Sequence, residues 1–442
     1  MSPEIISILA LVAMFVVATL LPINIGVMAF VAAFVVGSTV ADMDGETILA
    51  GFPSELAVTL IGITFLFAMA TNNGTIDWMV RVATWAVRGR LVALPWVMFL
   101  IAGTLTAFGA VSPAAVAIIA PVALGFAYKY AINPLLMGIM VVHGAQAGGF
   151  SPISIYGSIT NDIVEQSELP GSPLTLFLAS LIFNLVIAIV GFVIFGGRKL
   201  LSRRTDVQTA AAHGETTDAH HGTTTAEGEN RDAESDEVGI GSIRPTPYQL
   251  VTLLGLLGLG VGTLIFELDV GLVALTVALV LALISPHEQK SAVNQISWPV
   301  VLLIAGVLTY VAVLEEIGTI DYVSNSVAGL GSALLASLLL CYVGAVVSAF
   351  ASSTALLGAI IPLAVPFLLA GEVGAVGVIA ALAVSSTVVD VSPFSTNGAL
   401  VLANAHEDDR DRVYKQLLTF GFAIVLIAPP VAWLTMIVPG WL

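Results

Sequence analysis

The sequence predicts an all-α polytopic membrane protein built as two inverted-topology repeats, each of about five crossings with a re-entrant hairpin and a broken helix. Three observations lead there. Of 442 residues, 58% are hydrophobic and 10% charged, with mean hydropathy +1.01; an ordinary soluble domain carries roughly 25% charge. Apolar stretches of about 17 to 25 residues, the length that crosses a ~30 Å hydrocarbon core, recur along almost the whole chain. Two of those stretches are interrupted, by GGFSPISIYG at Gly148 to Gly157 and by DVSPFSTNG at Asp390 to Gly398.

In chain order, spans are expected near residues 4–21, 25–41 and 55–72. The first lacks a basic leader and runs straight into further spans, so it reads as a helix rather than a signal peptide. Residues 73–90 mix Trp78, Val82, Trp85 and Val87 with Asp77, Arg81, Arg88 and Arg90, a pattern suited to a helix lying in the interface. Two apolar arms over 91–128 meet around Gly109 to Pro113, segment 134–160 holds the first interruption, and 173–195 closes the half. The pattern then returns: spans at 247–265, 270–285 and 298–314, an amphipathic stretch at 316–330, arms over 331–369 meeting around Ala351 to Thr354, segment 374–404 with the second interruption, and a last span at 416–438.

This return is a repeat in the letters themselves. Gly74-Thr75-Ile76-Asp77 reappears as Gly318-Thr319-Ile320-Asp321, Pro121 as Pro362, and Ser151-Pro152-x-Ser154-x-x-Gly157 as Ser392-Pro393-x-Ser395-x-x-Gly398. Two similar halves with broken helices are the common build of secondary transporters, which hold their cargo between the halves. Charge supports inversion. Five crossings per half reverse the second half, and placing Arg198, Lys199, Arg203 and Arg204 in the cytoplasm by the positive-inside rule also puts the remaining lysines and arginines there.

The domain plan is therefore an N-terminal membrane repeat at 1–197, a linker at 198–245 and a C-terminal inverted membrane repeat at 246–442. Between Thr205 and Val238 lie nine acidic residues and one arginine, which supply −8 of the net charge of −16. With little to bury, this stretch reads as a disordered cytoplasmic linker, and its His213, His220 and His221 as solvated residues rather than metal ligands. Cys341 is the sole cysteine, which excludes an internal disulfide and a Cys-based metal cluster; it reads as a packed core thiol.

The interruptions are where chemistry is expected. Glycine, proline, serine, threonine and asparagine stop a helix. In hydrocarbon an unpaired backbone group costs several kcal/mol, so such breaks persist only beside a protein-lined or watery cavity.

The runs Pro22-Ile23-Asn24, Gly51-Phe52-Pro53, Asn73 to Trp78, Pro95 to Leu100 and above all His143-Gly144-Ala145-Gln146-Ala147-Gly148-Gly149-Phe150-Ser151-Pro152-Ile153-Ser154-Ile155-Tyr156-Gly157 resemble the MatC-type malonate/dicarboxylate carriers. These are grouped with the divalent-anion:sodium symporters in the ion transporter superfamily. The detailed match covers the first ~195 residues, and the second half matches through architecture. The resemblance implies a carrier rather than an enzyme, importing a small dicarboxylate such as malonate or a C4 acid with Na⁺ or H⁺ by alternating access. It implies a multi-pass protein of the inner (plasma) membrane, with a homodimer as one assembly. It also implies two hairpin tips bearing a Ser-Asn-Thr motif; the positions reached here are Val111-Ser112-Pro113 and Ser352-Ser353-Thr354, and both lack the asparagine.

No basic residue lies in the proposed loops, so a dianion would be held by helix N-termini, each worth about half a positive charge, and by hydroxyls. Candidate substrate-binding residues are Ser112, Gly149, Ser151, Pro152, Ser154, Ser353, Thr354, Ser392, Pro393, Ser395 and Thr396. The competing structural reading is that these serines cap helix ends and pack small-residue contacts. Asp390 is a lone carboxylate after a long uncharged run. At bilayer depth a charge costs ~2.5 to 3.5 kcal/mol, so Asp390 should meet a cation, carry a proton or pair internally. With Asn397, Ser352 and Gly148 it forms the candidate ion-coupling set; the oxygen-rich pair of Asp390 and Asn397 suits Na⁺, protonation would instead make Asp390 a proton-coupling group, and no other cofactor is implied. His143 and Gln146, one turn before the first break, are secondary candidates. An inorganic-ion antiporter of the Na⁺/H⁺ type on the same scaffold is the rival reading. A membrane enzyme is disfavoured, since no His-Glu-x-x-His, Gly-x-Ser-x-Gly or paired intramembrane aspartates occur. Acidic residues outnumber basic ones 30 to 14, which leaves nothing for nucleic acid.

Overall fold

The computed structural model describes residues 2–21, 23–86, 90–200, 244–319, 322, 333–349, 353–369 and 373–440. Residues 201–243 of the linker, residues 320, 321 and 323–330 of the second amphipathic stretch, and Ala351 and Ser352 of the second tip lie outside the described residues.

The first half runs α1 (Pro3–Leu20), α2 (Ile25–Val40), α3 (Gly45–Ala50), α4 (Ser54–Asn72), α5 (Thr75–Ala86), α6 (Ala93–Ala107), α7 (Ser112–Lys129), α8 (Pro134–Gly148), α9 (Ile155–Gln166) and α10 (Pro173–Ile194). The second half runs α11 (Pro247–Leu264), α12 (Val270–Ile284), α13 (Pro286–Asn294), α14 (Trp298–Glu316), α15 (Ala333–Ser348), α16 (Ser353–Leu369), α17 (Ala375–Thr387), α18 (Thr396–Ala403) and α19 (Glu407–Ala432), which ends in a π-turn at Trp433–Ile437. Local sequence explains many of the starts. Proline occupies the first turn of α1, α7, α8, α10 and α11, where its missing N–H costs nothing. The side chains of Asn24, Asn133 and Ser172 accept the first free N–H groups of α2, α8 and α10.

Among the described helices, six are long and apolar enough to cross a bilayer, and the molecule wears its apolar residues outward. On α10, Leu174, Ile182 and Ile194 are 57–66% exposed, whereas Ser180 and Asn184 on the opposite side are fully buried. That is the reverse of a soluble helix and suits lipid as the surrounding solvent. The chain is an integral membrane protein.

The contacts between helices obey a two-fold rule. α4 packs on α12 as α14 packs on α2, α8 sits against α6 and α7 as α17 sits against α15 and α16, and α7 meets α18 as α16 meets α9. Glycines permit the closest approaches, in matched pairs. A Cβ on Gly306 would fall 1.9 Å from the carbonyl oxygen of Gly26, and one on Gly62 would fall 2.5 Å from that of Gly271.

The equivalent helices α4 and α14 run antiparallel. Gln295, just before α14, donates from Nε2 to Oδ1 of Asn72 at the end of α4 (2.9 Å), while Gly51, just before α4, lies against Ala312 and the carbonyl of Thr309 late in α14. The polar clasps are reciprocal too. Asn73 Nδ2 donates to Thr252 Oγ1 at the start of α11 (2.7 Å), and Ser7 near the start of α1 shares a 2.7 Å hydroxyl bond with Thr319. Equivalent helices that run head to tail are what an inverted repeat requires.

Two departures from the expected segments have physical causes. Short helices α3 and α13 fill the connections between expected spans; α3 is started by Asp44, whose side chain accepts from Thr47 N, and the two pack on α14 and α4 respectively. The last helix begins at Glu407 rather than 416, because Glu407, Asp408 and Asp409 in its first turn favour the positive end of the helix and carry it beyond the apolar part.

Candidate functional site

Both interruptions fall where the sequence puts them. α8 ends at Gly148 and α9 starts at Ile155; α17 ends at Thr387 and α18 starts at Thr396. The two breaks are stitched alike. Ser154 Oγ donates to the Ser151 carbonyl (2.6 Å) and Ser395 Oγ to the Ser392 carbonyl (2.7 Å). Gly157 and Gly398 let the restarted helix press on those same carbonyls, since an added Cβ would stand 2.0 and 1.9 Å from them.

Ser154 also caps α9, accepting from Gly157 N (3.2 Å), and its one proton lies between the Ser151 and Gly149 carbonyls. Ser151 Oγ donates to the carbonyl of Ala107 at the end of α6, tying the break to the hairpin. Gly148 is a packing residue: its Cα side meets the Gly103 carbonyl so closely that a Cβ would stand 1.9 Å away. Ser392 lies against Gly421 of α19, Pro152 is half-buried and Pro393 buried. The hydroxyls of Ser151 and Ser154 are thus spent on the backbone around the first break.

The polar residues that do converge come from both halves. Asp390, 1% exposed, accepts at Oδ2 from Gln146 Nε2 (3.0 Å) and from Asn397 Nδ2 (2.8 Å), and at Oδ1 from the backbone N–H of Asn397 (3.4 Å). Asn397 Nδ2 also donates to Ser112 Oγ at the start of α7 (2.8 Å). The hydroxyls of Ser353 and Ser395 stand at the same carboxylate, and Ser353 shares a 2.8 Å bond with Ser348. Among the described residues no lysine or arginine shares this cluster, and no group of three or more His, Cys, Asp and Glu that could hold a metal occurs. Ser352 lies outside the described residues, as does the side chain of Thr354.

His143 belongs to the support of this cluster. Its ring Nδ1 is 2.9 Å from Asn184 Oδ1, Asn184 Nδ2 donates to the Ser180 carbonyl, and Ser180 Oγ donates to the Gln146 carbonyl (3.0 Å). α10 therefore holds α8 in place one turn before its break. Cys341 is fully buried.

Beside the cluster is a cavity of about 530 Å³. Val111, Pro113 and Ala114 at the start of α7 and Thr396 at the start of α18 form one wall, and Thr64 and Thr71 of α4 with Gln295 and Ser297 form another. Two helix N-termini from opposite halves thus border one space, joined by the Asn397–Ser112 bond. Thr64, Thr71, Gln295 and Ser297 escaped the sequence reading. For the two threonines a signal was available: Thr64 and Thr71, seven residues apart, share one side of a largely apolar helix.

Residues 1–149 match the model of a family described as the dicarboxylate carrier protein MatC N-terminus. Among solved structures, the YdaH transporter of Alcanivorax borkumensis, whose crystal structure is described as having an unusual topology, is similar at 13% identity over 98% of both chains, with a TM-score of 0.58. No curated protein matches the chain. The chain has the fold of that transporter, and its first 149 residues are similar to the N-terminal region of the dicarboxylate carrier protein MatC.

Proposed function

We propose that the protein is a secondary carrier that imports a small dicarboxylate, malonate or a C4 acid, together with Na⁺ or H⁺ by alternating access. The observation that carries this reading is the meeting of the α7 and α18 N-termini, one from each half, at the cavity lined by Val111, Pro113 and Thr396. The free N–H groups of a helix start bind anions without a basic side chain, and a carboxylate at each end of a short acid matches a pair of such ends. The cavity flanks the end of α4 and the start of α14, the side that the positive-inside rule assigns to the cytoplasm, which fits an inward-facing state. The linker would lie on that same side, between membrane repeats at 1–197 and 246–442.

Uptake of labelled malonate into proteoliposomes, with Na⁺ and pH gradients imposed separately, tests the reading. Accumulation driven by either gradient is expected. Cation exchange with no accumulation of malonate or a C4 acid would replace it with the antiporter reading.

A further inference from the structure

We propose that a groove between α10 and α19, on the lipid-facing side of the molecule, binds an anionic glycerophospholipid of the cytoplasmic leaflet. The phosphate rests on Lys415, and an acyl chain lies along Phe195, Thr419, Phe420 and Ala423. The proposal stands whether or not the chain is a carrier.

The groove encloses about 380 Å³ and is lined by Phe195, Lys415, Gln416, Thr419, Phe420 and Ala423. Helices α10 and α19 both pack on α8, and the Phe195 and Phe420 rings bridge the gap between them, edge to face at 5.8 Å. The groove opens toward lipid: Ile194, adjoining Phe195, and Phe422, adjoining Ala423, are 66% and 65% exposed. Its polarity runs in one direction. On α19 the positions 412, 415, 416, 419 and 423 share one face by helical spacing, and along that face Arg412 and Lys415 give way to Gln416, Thr419 and Ala423. Just past the end of α10, the turn Gly197–Leu200 carries the exposed Arg198 and Lys199.

That gradient selects the occupant. A cation at the water end with apolar and aromatic surface behind it matches a molecule with a negative head and a hydrocarbon tail. Basic pockets between transmembrane helices on the cytoplasmic side hold anionic headgroups, and the positive-inside rule puts Lys415 and Arg198 on that side. Lys415 is exposed and has no ion pair among the described residues, even with Asp411 one turn earlier, whereas Arg412 is engaged by Asp409 at 3.7 Å. The Lys415 ammonium is thus left for a ligand. The linker, which starts at residue 198 just past Phe195, competes by charge. Its residues 205–238 hold nine acids but almost nothing to bury, so they answer Lys415 and not the apolar floor.

The floor is connected to the interior. Phe420 also meets the fully buried His143 edge on, at 6.0 Å. His143 leads through Asn184 and Ser180 to the Gln146 carbonyl. A tail packed on Phe420 therefore braces the struts that hold α8 one turn before its break, and bound lipid should stabilise the fold.

The test uses the purified full chain, stripped of lipid in dodecyl maltoside. Its melting temperature is titrated with phosphatidylglycerol, with phosphatidylcholine of the same acyl chains, and with glycerophosphoglycerol, which has the headgroup and no tail. A saturating rise with phosphatidylglycerol alone is expected. In Lys415→Gln the half-saturating phosphatidylglycerol concentration should rise about fivefold, the scale of one basic residue at an anionic membrane surface. Thr419→Trp, at an exposed position where the new side chain fills the groove, should lose the saturating rise with Lys415 still in place. An equal rise with phosphatidylcholine, no rise at all, an unchanged midpoint in folded Lys415→Gln, or an unchanged titration in folded Thr419→Trp would each overturn the proposal. So would phosphatidylglycerol binding that emerges only after residues 206–237 are deleted, which would give the groove to the linker.

Discussion

The two breaks share a skeleton and differ in charge. In both, a serine hydroxyl closes the loop and a glycine lets the next helix bear on the serine carbonyl. Yet the position of Gly149 in the first is Asp390 in the second, and that of Tyr156 is Asn397. The first break spends its polar groups on itself and on α6, through Ser154 and Ser151. The second turns a carboxylate and an amide inward and borrows Gln146 from the first. A duplicated scaffold thus carries one break whose polar groups serve the backbone and one that adds a buried carboxylate shared with the other half.

The most severe way to challenge the shared skeleton is to fill its glycines. Gly157→Ala and Gly398→Ala each force a methyl group into a backbone carbonyl about 2 Å away, and overpacking of this kind costs about 1–3 kcal/mol or more. Both variants should lose folded, monodisperse protein in size-exclusion chromatography; loss in one only would mean the breaks are not built alike. Next comes the charge difference. Asp390→Asn should insert normally but abolish or change the cation dependence of uptake, and unaltered responses to Na⁺ and pH would take Asp390 out of the site.

A smaller effect separates the two caps. Ser154 accepts from Gly157 N, whereas the Ser395 side chain makes no capping bond to its helix. Ser154→Ala should therefore cost ~1 kcal/mol, read as a lower melting temperature, with Ser395→Ala milder. The smallest effect is expected from deleting residues 206–237: transport should persist, and its loss would give the linker a regulatory part.

Much of this was legible in the letters because helix breakers inside apolar runs have so few other uses. The positions of both breaks, the repeat and the isolation of Asp390 follow from residues such as Pro152, Pro393 and Gly398. What sequence could not supply was pairing across the repeat. Nothing local to Gln146 points to Asp390, 244 positions away, and nothing local to Ser112 points to Asn397. The serines were ambiguous for a related reason: a hydroxyl beside a break serves the backbone or a ligand equally well, and only geometry shows that Ser154 faces the carbonyls of Gly149 and Ser151.

The head-to-tail glycine contacts have a consequence for ancestry. Gly26 meets Gly306 and Gly62 meets Gly271, and each member of one pair occupies the repeat position of a member of the other. Such a seam is self-complementary: a half-length chain threaded into the membrane in both orientations would present to its upside-down twin the same surface that the second half presents to the first. A fused protein of this kind needs only a tether between its copies, after which each is free to drift toward its own task.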